Sequence, residues 1–139
     1  MKIDLIKAKE LLESGGYTCV LCKGDMTYTS TERGVRPLLQ WLDTKTDVAG
    51  YSAADKVVGN AAAFLYVLLK VDMVYAPVMS EAAIHTLKRH GIPAVYDLSV
   101  EAIRNRRNTG FCPMETAVQG IDLPTEALAA IKEKLTELA

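Results

Sequence analysis

Cys112-Pro113-Met114-Glu115 puts a thiol, a proline and a carboxylate within four residues at what reads as a helix start. The positive end of a helix favours a thiolate over a thiol, so a cysteine there can become a nucleophile. Just upstream, Arg104, Arg106 and Arg107 add cations, and Asn105, Asn108, Thr109 and Gly110 add donors that suit an anion. Three readings compete for Cys112: a reactive thiol beside an anion site, a surviving metal ligand, or a small buried apolar residue. No histidine stands near it in sequence to act as base. Glu115 can turn back onto the Cys112 backbone N–H, where it would disfavour the thiolate. Proline at the first position and glutamate at the third also satisfy a helix start with no chemistry at all.

A second cluster is Asp55-Lys56-Val57-Val58-Gly59-Asn60. Here a carboxylate cap and a cation open what reads as a long apolar helix. Gly59 interrupts that helix at a cost of roughly 1 kcal/mol relative to alanine, either for close packing on a sheet or to leave room for a ligand. Asn60 can bond a neighbouring main chain or read an amide or base edge. In a third cluster, Arg33 and Arg36 flank Gly34 just before Pro37, and two guanidinium groups can hold phosphate or carboxylate bidentately. The competing reading pairs them with Glu32 or Asp43 on the surface. His85, mid-helix, and His90, in a last turn, read as structural.

These clusters need elements to position them. Leu5, Ala8, Leu11 and Leu12 recur at helical spacing over residues 4 to 14, ahead of Gly15-Gly16. Tyr17 to Lys23 and Met26 to Thr31 read as a hairpin closed by Gly24-Asp25 in a type II′ turn. Strand alternation points Cys19 and Cys22 to opposite faces, as two buried thiols and not a shared metal site. Arg36-Pro37 opens a short helix through Leu42, and residues 52 to 70 read as a helix buried on several sides. A strand over 71 to 78, a helix capped by Ser80 and a strand over 92 to 98 follow. Ser99 caps a brief helix through Ile103, Cys112 opens another that ends at Gly120, and Leu128, Ile131, Leu135 and Leu138 mark the last. A hairpin followed by strand and helix alternation implies an α/β chain: a three-layer α/β/α sandwich whose mixed sheet joins one antiparallel pair to parallel strands.

With 16 basic and 17 acidic residues among 139, no overall field draws the chain to nucleic acid or to an anionic membrane. The arginine cluster also lacks the interleaved aromatics of a single-strand platform. A charged amphipathic start and the lack of a spanning apolar run point to a cytoplasmic protein, organised as one domain over residues 1–139.

On "DKVVGNAAAFLY", "VYAPVMSEAAIHTLKRHGIPAVYD" and "NTGFCPMETAV", the chain resembles the DUF1893 family of unknown function, and with the hairpin the resemblance spans nearly its whole length. The resemblance implies a cytidine deaminase-like fold, in which the helix starts at Asp55 and Cys112 face one pocket. Zinc deaminases carry H-x-E on one such start and P-C-x-x-C on the other. Here the first stretch has no imidazole, thiol or glutamate, and Glu115 stands where the second cysteine would be. One thiolate with carboxylates is a poor zinc set, so neither a metal nor another cofactor is expected. The expectation is a metal-free protein that binds a small anionic or nucleotide-like ligand. Lys56, Gly59, Asn60, Arg33 and Arg36 would contact that ligand, with Cys112 as the thiol and Glu115 or Asp55 as proton carrier of any reaction. The alternative is a non-catalytic regulatory or interaction module that meets a partner or a second copy of itself.

Overall fold

The computed structural model describes residues 3–103 and 112–138. Helix α1 (Ile3–Ser14) buries Leu5, Ala8 and Leu12, the stripe its spacing predicts. Strands β1 (Cys19–Lys23) and β2 (Met26–Ser30) form the hairpin, with Lys23 opposite Met26. Gly24 takes φ +58° while Asp25 keeps a negative φ, as a type II′ turn requires. Helix α2 (Arg36–Asp43) carries Pro37 in its first turn and buries Leu38 and Leu39.

The long helix expected from Asp55 does not form there. Residues Ser52–Asp55 are strand β3, Val57–Val58 are strand β4, and helix α3 begins only at Asn60, running to Leu69. All four residues of β3 are buried. A strand covered on both faces loses the alternation that would identify it, and Ala53-Ala54 favours helix locally. The remaining elements are β5 (Met73–Ser80), α4 (Glu81–Arg89), β6 (Ala94–Val100), α5 (Pro113–Ala117) and α6 (Pro124–Leu138). Ser80 caps α4 as expected, its Oγ accepting from Ala83 N at 3.1 Å. Ser99 does not cap a helix: it lies within β6, paired with Met79.

The sheet is mixed. β1 runs antiparallel to both β2 and β3, whereas β3, β4 and β6 all run parallel to β5. β3 and β4 are two parts of one path, since Ala54 opposite Tyr75 and Val57 opposite Val78 keep the same offset. The interruption falls at Lys56, where the facing position is Pro77, a residue with no N–H for the ladder. Lys56 N donates instead to Thr18 O, across at the β1 edge, at 3.2 Å.

Two hydrophobic clusters sandwich the sheet. On one face α1 packs over Val20, Cys22, Ala54 and Tyr75. On the other, α2, α3, α4 and α6 enclose Cys19, Leu21, Ala53, Phe64, Tyr66 and Ile131. Cys19 and Cys22 are thus buried on opposite faces, as alternation predicts. No helix among the described residues is long and apolar enough to cross a membrane.

Candidate functional site

The carboxyl end of β3, the starts of α3 and α5, and the loop from β2 to α2 surround a cavity of about 490 Å³. Ligands in open α/β sheets bind beyond strand carboxyl ends, where the chain departs to opposite sides; β3 is such a place, with β1 on one flank and β5 on the other. Asp55, Lys56 and Gly59 line one side of the cavity and Cys112, Met114 and Glu115 another. Arg33 and Gly34 come from the loop, beside the Thr18 and Thr31 hydroxyls.

Glu115 joins the two helix starts. Its Oε1 accepts from Asn60 N at 2.6 Å and its Oε2 from Ala61 N at 2.9 Å. The N-cap residue of α3 is Gly59, extended and without a side chain to cap the helix, so a carboxylate from another element supplies the acceptors its first N–H groups need. A Cβ on Gly59 would lie 2.5 Å from the Glu115 carboxyl carbon. The glycine therefore serves close approach of this carboxylate and does not interrupt a helix. Glu115 does not turn back onto Cys112, whose N–H donates to Ile103 O at 3.0 Å. Burial raises the Glu115 pKa, and the two backbone donors oppose that rise.

Asp55 sits at the sheet side of the cavity, 7 % exposed. The Tyr66 hydroxyl donates to its Oδ2 at 2.7 Å, and Cys19 Sγ lies 3.2 Å from the same hydroxyl. Burial pushes the Asp55 pKa up to about 7, against the pull of Tyr66 and of the Val57 and Lys56 backbone N–H groups. Burial and the Asp55 charge raise Cys19 and Tyr66 as well, so these two stay protonated and act as donors along a Cys19–Tyr66–Asp55 chain. Asp55 can exchange a proton near neutrality at a surface that faces the cavity, a setting suited to general acid–base work.

The structure brings together Arg33, Asp55, Lys56, Gly59, Cys112 and Glu115. Asn60 does not line the larger cavity: its Oδ1 accepts the Thr86 hydroxyl, its backbone N–H is held by Glu115, and the residue lines a smaller neighbouring cavity. Arg36 is also elsewhere, in a shallow groove with Glu32, Gln40 and Asp43. Asp43 pairs not with an arginine but with Lys132, at 2.9 Å. Arg104, Arg106 and Arg107, with Asn105, Asn108, Thr109 and Gly110, lie outside the described residues. The sequence marks Cys19 as a buried thiol but gives neither it nor Tyr66 a part in the site; once residues 52 to 55 are a strand, pairing of Cys19 with Asp55 places the thiol beside the carboxylate.

The donor set does not fit a transition metal. Both Glu115 oxygens are held by backbone N–H groups, and Asp55 is held by Tyr66. Among the described residues no three His, Cys, Asp or Glu side chains gather into a metal-holding group. His90 Nδ1 is engaged with Thr86 O on α4. Cys112 is half-buried and free, with no histidine on the lining to serve as its base.

Residues 7–135 match the family described as "Domain of unknown function (DUF1893)". A crystal structure of a DUF1893 family protein (TM1506) from Thermotoga maritima superimposes with a TM-score of 0.84 at 25% sequence identity, covering 99% of this chain and 92% of that one. No curated protein matches the chain significantly.

Proposed function

The chain belongs to the DUF1893 family, and from that membership we propose that it is a metal-free protein of cytidine deaminase-like fold that binds a small anionic or nucleotide-like ligand in the cavity at the end of β3. The observation that carries this reading is the pairing of Arg33 and Lys56, without carboxylate partners among the described residues, with the protonatable Asp55 and Glu115 on the lining of one cavity. Two cations at the wall suit phosphate or carboxylate, and a volume of about 490 Å³ suits a small molecule. The Glu115 carboxylate takes the α3 N–H groups that would otherwise draw an anion to the helix tip, which leaves Arg33 and Lys56 as the anion contacts. In any turnover Cys112 is the thiol. Asp55, more than the doubly bonded Glu115, carries the proton.

Thermal unfolding with inorganic phosphate and with a panel of nucleoside mono- and diphosphates tests this. A ligand at about a hundred times its Kd stabilises the fold by roughly 2.7 kcal/mol, a rise of several degrees. No rise with any of them would instead favour an interaction module. That second reading has its own support in an apolar row across β4, β5 and β6: Val57 and Leu98, both opposite Val78, are 45 % and 57 % exposed.

A further inference from the structure

Beside the larger cavity lies a second of about 270 Å³, beyond the carboxyl ends of β5 and β6, and Glu115 lines both. Their described linings differ in charge. Arg33 and Lys56 stand on the larger one, whereas the described lining of the smaller has no cation and holds Glu101, Glu115 and the amides of Asn60 and Gln119. Because Asn60 Oδ1 accepts the Thr86 hydroxyl, its amide is oriented and its NH₂ group is the part left for a ligand. Each Glu115 oxygen takes one backbone N–H and keeps acceptor capacity for another donor. The smaller compartment therefore presents acceptors on Glu101, Glu115 and the Gln119 amide oxygen, with the Asn60 NH₂ as a donor beside them, a set that suits a group carrying N–H donors together with an acceptor.

We infer that the two cavities take one bipartite ligand: an anionic group held between Arg33 and Lys56, joined to a neutral or cationic group bearing N–H donors, such as an amino-substituted heterocycle, placed among Asn60, Glu101 and Gln119. This rests on the proposed binding role of the larger cavity and adds to it a polarity and a second set of contacts. Reversal of the ligand would set an anion against Glu101 and leave Arg33 and Lys56 facing N–H donors, whereas Glu115, common to both cavities, does not distinguish the two orientations. The charge pattern thus fixes one orientation through repulsion as well as attraction.

Calorimetric titration with adenosine 5′-monophosphate, purine riboside 5′-monophosphate, adenosine and inorganic phosphate tests the inference on the wild-type chain and on Glu101→Gln, Gln119→Ala and Lys56→Ala. Glu101, Gln119 and Lys56 are exposed, so the variants keep the fold. The amino-bearing monophosphate should bind at least tenfold more tightly than adenosine or phosphate alone. Glu101→Gln and Gln119→Ala should weaken it several-fold while leaving the purine riboside compound, whose base has no N–H donor, unchanged, and Lys56→Ala should weaken both monophosphates. Equal binding of the two, indifferent to Glu101→Gln and Gln119→Ala but sensitive to Lys56→Ala, would overturn the bipartite ligand and leave the larger cavity as an anion site. Binding of none of the four would remove both readings.

Discussion

Gly59 and Glu115 act as one unit, because the carboxylate that satisfies Asn60 N and Ala61 N lies where a side chain on residue 59 would be. Gly59→Ala should displace it and cost about 2–3 kcal/mol, since buried backbone donors left without acceptors are expensive. In a Glu115→Ala background the same glycine change should cost much less, and urea unfolding of the four-member cycle measures the coupling; additive effects would mean the two do not interact. Asp55 gives a second residue-level expectation. Its folded pKa of about 7 lies above the ordinary carboxylate value, so the folded chain binds this proton more tightly than the unfolded one. The stabilising contribution is fully present below about pH 4 and is lost as pH rises through 7. Asp55→Asn keeps the shape, and its amide can still exchange hydrogen bonds with Tyr66. Between pH 4 and 8 the wild type should lose on the order of 2–4 kcal/mol relative to this variant; parallel stability–pH curves would show that Asp55 titrates normally.

At the scale of elements, the regions with simple periodicity were legible and those governed by distant partners were not. The stripe of α1, the glycine-first turn between β1 and β2, the proline start of α2 and the Ser80 cap all follow from neighbours a few residues away. Ser80→Ala removes the acceptor for Ala83 N and should destabilise the chain by about 1 kcal/mol, read from the denaturant midpoint. A loss below a few tenths would mean that another acceptor replaces the cap. Residues 52 to 55 were misread because a strand between β1 and β5, covered by α1 and α3, has no polar face to give it away. Ser99 does not cap a helix, although a serine ahead of Glu101 and Ala102 resembles a cap, because its backbone is held in β6 by β5. Glu115 obeyed no local rule: its position suits a capping box on α5, yet the uncapped start of α3 claims it. The candidate site was legible as a set of residue types, six of which do line one cavity. Its wiring through Tyr66 and Cys19 was not, because those contacts span 11 and 47 residues of sequence.

On the scale of the whole molecule, the charge is nearly balanced, at −1, so a ligand is drawn by local arrangement and not by a global field. The sheet places β3 between an antiparallel flank and a parallel one, and the cavity opens where those two halves diverge. Both sides are needed, since Arg33 arrives after the hairpin and Cys112 and Glu115 arrive after the last strand. The most direct test of the proposed site is calorimetric titration of a nucleoside monophosphate into the wild-type chain and into an Arg33→Ala/Lys56→Ala double variant of unchanged thermal stability. A saturable one-to-one isotherm for the wild type, weakened at least tenfold in the variant, is the predicted result; no binding to the wild type, or equal affinity for both proteins, would contradict it.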